Sequence, residues 1–528
     1  MVKDEAAVGE GSIGTADSTT LGANQQRVTV ITSFRVFSRL HCPVSAITMV
    51  KLFCLLLVVV SAFAQSPKPP THKPNHSAAA SLLSTESQTC IACHEGSSPG
   101  IVQQWKRSAH SSNRVGCYEC HRAEKTDIDA FDHNGFTIAV IVSPKDCSVC
   151  HAKEYQQFEA SHHSDAAKIL GSLDNVLAEV VEGNMQHDSP SAVSGCWQCH
   201  GAEVKVLPGG KLDPATWPNT GVGRLNPDGS KGSCSACHMR HNFSIAQARM
   251  PENCGRCHLG PDHPQMEIYT ESKHGIAFAA NRSRYEPLME KKHWVPGQDF
   301  EQGPTCATCH MSATADLPVT HDSGSRISWT LRPAISEKID AASIAAGQTV
   351  KPWEQRRAEM KQVCASCHAS GWIENWYDQF DKTVNLYNDK FGRPATRLFQ
   401  MIRAANLITK DIEFDDQIEF TYYELWHHEG RRVRHGAAMM GPDYVQWHGN
   451  YEVARRFYSE FIPQLLDVLQ KAANSGDPAK VAAGLKVKDE LDQILNSKDH
   501  RWFIGKMTSE EREARKKAAE EFRRRYAQ

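Results

Sequence analysis

Between Cys254 and Gly275 the chain reads CGRCHLGPDHPQMEIYTESKHG, and three kinds of chemistry crowd into it. Cys254, Cys257 and His258 form a CxxCH pentapeptide. Two thiols at this spacing can form thioethers with both vinyl groups of a porphyrin, and the abutting imidazole can then reach the iron, which is the attachment pattern of a c-type haem. Asp262 and His263 follow, held between Pro261 and Pro264. A carboxylate beside an imidazole fixes its tautomer and raises its proton affinity, which makes a general base. The pair has a second reading, in which His263 is a distal iron ligand and Asp262 caps a turn. The stretch closes on Tyr269-x-x-Ser272-x-His274, a pattern that recurs elsewhere.

The pentapeptide also recurs. Of 18 cysteines, 16 lie in eight CxxCH motifs: Cys90/Cys93/His94, Cys117/Cys120/His121, Cys147/Cys150/His151, Cys196/Cys199/His200, Cys234/Cys237/His238, Cys254/Cys257/His258, Cys306/Cys309/His310 and Cys364/Cys367/His368. A disulfide framework has no use for a histidine after every pair, and zinc sites space their histidine away from the cysteines to close a tetrahedron. The pattern therefore predicts eight covalently attached c-type haems, with the motif histidines proximal. An electron-carrying haem takes a second axial ligand, usually His or Met. Three candidates share the aromatic-x-x-Ser-x-His pattern: His110, His163 and His274. His133, His241 and His321 are the next candidates, and His448 takes a further place in competition with His435.

The elements that must position these groups are helical. Sheet-forming alternation is scarce, which predicts a mainly α, multihaem cytochrome c fold with a cofactor-rich core, followed by a C-terminal helical bundle. Residues 1–48 read as a mis-assigned start or unstructured leader, and 49–64 as a signal peptide. Its basic start is Met49-Val-Lys51, its apolar run is Leu52 to Phe63, and Ala62-Phe63-Ala64 precedes cleavage before Gln65. That predicts export to the periplasm and a mature protein without a membrane-spanning segment. Residues 65–88 read as a linker, 89–373 as the octahaem-binding domain, and 374–528 as a helical domain with subunit contacts. In that last part Tyr458, Phe461, Ile462, Leu465, Leu466 and Leu469 make one helical stripe, interrupted at Pro463. Glu510 to Gln528 is charged on nearly all faces, predicting a solvated or frayed end. A formal charge of −2 gives no reason to expect nucleic acid as a partner.

The anchors, with the strings GPDHPQ, SKHG, GPTCATCHMSA, PVTHDSGSRISW, WHHEGRRVRHGA and PDYVQWHG, make residues 88 to 460 resemble the octahaem hydroxylamine oxidoreductase family. The resemblance implies a catalytic fourth haem on Cys196 and Cys199 with His200 proximal, and Asp262 and His263 over its open face. It implies a homotrimer in which a tyrosine of the neighbouring subunit is cross-linked to that porphyrin. Tyr444 is the matching position and Tyr451 the next choice. The family's pocket-lining tyrosine has no counterpart near Trp329. The implied activity is oxidation of hydroxylamine to nitric oxide or nitrite, with electrons passed to a soluble c-type cytochrome. Hydrazine oxidation, a reductive nitrite or nitrogen-oxide reductase, and a non-enzymatic conduit are the alternatives.

Overall fold

The computed structural model describes residues 83–171, 192–347, 350–410 and 413–527. The leader and signal-peptide expectations, and most of the linker at 65–88, lie outside these residues. The first helix, Thr85–Ser97, begins within that expected linker, with Ser84 accepting from the Ser87 amide as its cap.

Most elements are short helices, as expected for a chain whose core is built around motif turns rather than sheets. Two small antiparallel pairs are the named sheets among the described residues: Phe131–His133 with Phe136–Ile138, and Val206–Leu207 with Lys211–Leu212. The CxxCH motifs adopt one helical turn. In five of them the histidine amide donates to the carbonyl of the first cysteine at 2.9–3.0 Å, at His151, His200, His238, His258 and His368. Such a turn brings residues i, i+3 and i+4 to one side, so both thiols and the imidazole can face the same space.

The C-terminal part packs a dense apolar cluster that includes Tyr387, Leu398, Ile402, Leu425, Phe457, Phe461, Leu465 and Leu491. It is assembled by helices Arg393–Ala404, Ile462–Ala473 and Pro478–Asn496. Five members of the expected stripe are buried, but Leu466 is exposed. The reason is that Phe457–Phe461 is a π turn, which shifts the helical phase just before Pro463 opens the following α segment. The helix Ser509–Tyr526 buries no residue, yet it is regular to its end. It is capped by Thr508 and Glu511 and carries Arg523, Arg524 and Arg525 where a helix dipole favours cations.

The expected boundary between 373 and 374 falls inside the helix Ser370–Tyr387. That helix packs Ile373, Tyr377, Phe380 and Val384 against Trp329. Just beyond it, the Asn388 side chain binds both the amide and the carbonyl of Ser336, at 3.0 and 2.7 Å. No helix among the described residues is long and apolar enough to cross a membrane.

Candidate functional site

The aromatic-x-x-Ser-x-His motifs are not continuous helices. In each, the serine hydroxyl donates back to the aromatic carbonyl: Ser108 to Trp105 at 2.7 Å, Ser161 to Phe158 at 2.6 Å and Ser272 to Tyr269 at 2.7 Å. All three serines are buried. Ser108 and Ser272 then accept from the amides of Ser111 and Gly275, capping a new helix that starts with the histidine in its first turn. The break re-aims the imidazole, which a straight helix would carry past the anchor. The glutamines just before two of these aromatics add a signal that sequence reading missed. Gln104 accepts from the His241 amide at 3.1 Å and Gln157 from the His321 amide at 3.0 Å. The first two breaks therefore present their own histidine and steady the loop of another.

The imidazoles meet in pairs. Ring centroids lie 6.1 Å apart for His94 and His133, 6.2 Å for His151 and His110, and 6.5 Å for His121 and His241. The separations are 6.4 Å for His238 and His321, and 6.0 Å for His368 and His274. Two metal–nitrogen bonds of about 2 Å, plus the depth of each ring, require a separation of about 6 Å, so these pairs fit an iron held between them. Burial pushes His163, His238 and His241 down to about 4 and His258 to about 3, keeping them in the neutral form that a metal ligand needs. The Nδ1 atoms of His121 and His310 face the carbonyls of Ala139 and Ser323 at 2.9 and 3.2 Å, which leaves Nε2 for the iron.

Two anchors share a more crowded region. His163 lies 6.0 Å from His258 by ring centroid, and its Nδ1 meets the Ser323 hydroxyl, whose residue also serves His310. His435 is 4 % exposed, and its charged form is disfavoured by burial first and then by neighbours that include His263 and His258. His448, chosen from sequence, is placed differently. Its side chain is 47 % exposed and pairs with Asp443 and Glu452, and its ring meets Tyr444 rather than an anchor histidine. Of the two competitors, the structure brings His435 to the anchors.

Contacts between anchor thiols give the order in space. Cys90 lies beside Cys117, and Cys120 beside Cys147. Cys147 lies beside Cys234, Cys237 beside Cys254, Cys254 beside Cys306, and Cys309 beside Cys364, all as free thiols. The fourth motif joins this thread from the side, through Cys199 and Cys257. One cavity of ≈2990 Å³ is lined by these thiols and imidazoles together with Asp262, His263 and Tyr423.

Every motif cysteine lines this cavity except Cys93. Cys93 is exposed, while Cys90 and His94 of the same motif line the cavity. The reason is the place of this motif at the end of the thread. Cys90 meets the neighbouring anchor at Cys117, and Cys93, almost one turn further along the helix Thr85–Ser97, is carried past that contact to the solvent edge. Cys150 and Cys367 are also exposed but keep their place in the lining. A thioether at Cys93 would close at the rim of the cavity rather than inside it.

The acid–base pair stands at the side junction of the fourth motif. His263 Nδ1 is hydrogen-bonded to Asp262 Oδ1, and its Nε2 meets the Cys257 carbonyl at 2.8 Å. Both nitrogens face oxygen atoms, so the ring turns Nε2 to a backbone carbonyl rather than to His258, 6.2 Å away by centroid. Burial opposes its charge, but Asp262 and the Cys257 carbonyl raise its proton affinity above the ordinary value. Burial works to raise Asp262 as well, yet His263, His427 and Arg431 hold it well below the usual carboxylate range. Arg431 Nη1 donates to Asp262 Oδ2 at 2.8 Å, His427 Nε2 stands 3.9 Å from the same oxygen, and the Tyr423 hydroxyl meets His427 Nε2 at 2.9 Å. His427 sits in a π turn, Glu424–Gly430, that widens the helix and lets Tyr423, His427 and Arg431 converge on one side. Sequence reading offered no tyrosine for this pocket; Tyr423 lines it.

Tyr444 lies in a short helix, Pro442–Val445, with Pro442 in its first turn. It is half-buried, with its ring centroid 5.3 Å from His448. Tyr451 is exposed and packs against exposed Trp447 at 5.4 Å.

Comparison with known proteins agrees with this core. A family described as "Seven times multi-haem cytochrome CxxCH" matches residues 227–402, and "Cytochrome c554 and c-prime" matches 146–239. The cytochrome c-type protein NrfH of Wolinella succinogenes is 30% identical over 161 residues, covering 28% of this chain and 83% of that protein. The chain belongs to the multihaem c-type cytochromes. This multihaem cytochrome is also 25% identical, over 342 residues, to a probable nitrite reductase-hydroxylamine oxidoreductase fusion protein of Kuenenia stuttgartiensis. The match takes in 57% of the chain and 36% of the fusion, so the cytochrome spans about a third of that relative's length. A solved structure described as a hypothetical multiheme protein superposes with a TM-score of 0.65 at 27% identity, covering 75% of this chain and 97% of that one. The reducing HAO-like protein complex of Kuenenia stuttgartiensis superposes at 0.53 with 19% identity, covering 74% and 86%, and shares the fold.

Proposed function

We propose that this multihaem cytochrome is an exported octahaem enzyme that oxidises hydroxylamine to nitric oxide or nitrite and passes the electrons to a soluble c-type cytochrome. The observation that carries the reading is the Asp262–His263 pair lying against the Cys199–Cys257 contact, beside the motif that joins the thread from the side. A c-type haem on Cys196 and Cys199 supplies a substrate-binding iron and takes up electrons. The chain supplies the proton chemistry. Asp262, fixed by Arg431, holds one nitrogen of His263, and the imidazole receives protons that a nitrogen hydride loses as it is oxidised. In the same reading Tyr444 reaches the catalytic haem of the next subunit of a homotrimer and is bonded to it. Hydrazine presents the same kind of N–H to His263 and fits the same site.

The test is spectroscopy with kinetics. Ferrous protein treated with carbon monoxide should show a minority haem that binds it, and hydroxylamine should reduce an added c-type cytochrome. His263→Ala should keep every haem and lower turnover by about 10²–10⁴. A protein with no ligand-binding haem is a conduit, and this reading is then wrong. Reduction of nitrite at the same site is the second reading. The two cationic partners around a single carboxylate, Arg431 and His263, favour it by suiting an anionic substrate. Turnover of nitrite with reduced donor, without turnover of hydroxylamine, would select it.

A further inference from the structure

We infer that Arg431 and Arg432, neighbours on the helix Arg431–Met439, are positioning residues that lock the acid–base loop Pro261–His263 from the C-terminal part of the chain. This rests on the acid–base role given to Asp262 and His263 above, and it assigns the residues that hold them.

Local bonds tie the two ends of the loop, Gly260 N–H to Glu267 Oε1 at 3.1 Å and His263 Nε2 with the Cys257 carbonyl at 2.8 Å, and leave Pro261 and Asp262 between them. Pro261 has no amide to donate, Gly260 adopts a left-handed backbone with φ 97°, and no regular element runs from Leu259 to Pro264. Its middle is held from far along the chain, through two different kinds of contact. Arg431 grips a side chain: Nη1 to Asp262 Oδ2 at 2.8 Å. Arg432 grips the backbone: Nε to the Pro261 carbonyl at 2.8 Å. Successive residues on an α-helix point about 100° apart, so two adjacent arginines can reach a side chain and a backbone group of the same loop. The helix runs unbroken from the π turn Glu424–Gly430 into these two residues.

Each arginine is itself braced. Arg431 is buried, and its guanidinium lies over the Trp426 ring at 5.2 Å. Arg432 Nη1 is tied to Glu452 Oε2 at 2.8 Å, whose other oxygen meets His448 Nδ1 at 3.1 Å. Charge-assisted hydrogen bonds of this kind are roughly twice as strong as neutral ones, and in a half-buried site they are little screened. Asp262 keeps its second oxygen on Arg431 while its first orients His263, so the imidazole direction is set by an anchor outside the loop. Supporting groups of this sort are worth about 10–100-fold in activity when removed.

The experiment uses the fully haem-loaded protein and two independent readouts. In Arg432→Gln and Arg431→Gln, amide hydrogen exchange of the peptide spanning 259–266 should rise about tenfold or more, while exchange in the C-terminal helices stays as in the parent. Haem content and the low-spin spectrum should be unchanged. In hydroxylamine turnover, Arg431→Gln should lower kcat by about 10–100-fold with KM within about twofold, and Arg431→Lys should recover most of it. Unchanged exchange in both glutamine variants overturns the inference. Should Arg431→Gln fail to accumulate with its haems, Arg432→Gln, whose side chain is partly exposed, decides alone. If the parent protein does not turn over hydroxylamine, the functional reading fails, while the exchange result still decides whether the two arginines hold the loop.

Discussion

At the scale of single residues, enclosure separates side chains of the same type: His435 is buried, while the His448 side chain is 47 % exposed. Cys and His in CxxCH are legible because one helical turn dictates their spacing. Spacing alone does not say how enclosed each thiol is, and Cys93 at the rim is the case in point. His435 and His448 are not distinguishable from sequence either, since nothing local says which is buried. The structure separates them by exposure and partners. His435→Ala should convert a low-spin haem to a high-spin one in the oxidised spectrum, whereas His448→Ala should leave the spectrum as it was. The opposite result would restore the sequence assignment. Tyr423 was missed for a related reason: it reaches the Asp262 site through His427, by a contact between segments far apart in the chain. A second residue carries a pH prediction. Burial raises the Glu429 carboxyl to about 7 despite its bond to Arg456 at 2.6 Å. A carboxyl whose folded value lies above its unfolded one loses nothing while both forms are protonated. It then penalises the folded state progressively as pH rises from about 4.5 to about 7, by on the order of 3 kcal/mol in the limit. Glu429→Gln should therefore gain thermal stability relative to the parent as pH is raised from 5 to 8. A stability difference that is flat with pH would show that Glu429 is ionised throughout.

At the scale of elements, the recurring aromatic-x-x-Ser-x-His pattern was visible, but its form was not. On a continuous helix the aromatic and the histidine, five apart, fall not quite on one face, while the buried serine bonds make the motif a break and a restart. Ser272→Ala removes both the bond to the Tyr269 carbonyl and the cap on the Gly275 amide, and should cost about 1–2 kcal/mol. Gly275→Ala should cost more. A Cβ there would stand 1.9 Å from the Tyr269 carbonyl oxygen, so the break would have to open, moving His274 away from His368. Thermal unfolding ranks the two, and a new high-spin signal should accompany Gly275→Ala alone. Equal, small effects would mean the break is adaptable. The C-terminal stripe was legible in five of six positions; Leu466 was lost to the helical phase shift, which no hydropathy period encodes.

At the scale of the whole molecule, the helical class and the haem-lined core followed from the motifs, while the packing of Ser370–Tyr387 onto Trp329 could not be read, because it depends on non-local contacts. The mature protein should carry eight covalent haems, adding roughly 5 kDa to the polypeptide by intact mass. Six or fewer would refute the loading. If Tyr444 is bonded to a neighbouring subunit, denaturing gels should show a trimer that survives heat and reductant and falls to monomers in Tyr444→Phe. Persistence of the trimer in that variant would move the bond to Tyr451, and its loss in neither would remove the cross-link.

The thiol contacts make the sixth anchor the only branch point along the described thread, with the fifth, seventh and fourth as its neighbours. In circuit terms, haems that follow these thiols would make the fourth anchor a spur and not a relay station. Under the function proposed above, an electron taken up there would have a single exit, so removing the sixth haem with Cys254→Ala and Cys257→Ala together should isolate the reaction from the others, whereas removing the first should only shorten the line. The through-going line would then never cross the reactive position, and current could pass between the two ends of the array while the spur is empty, occupied or poisoned.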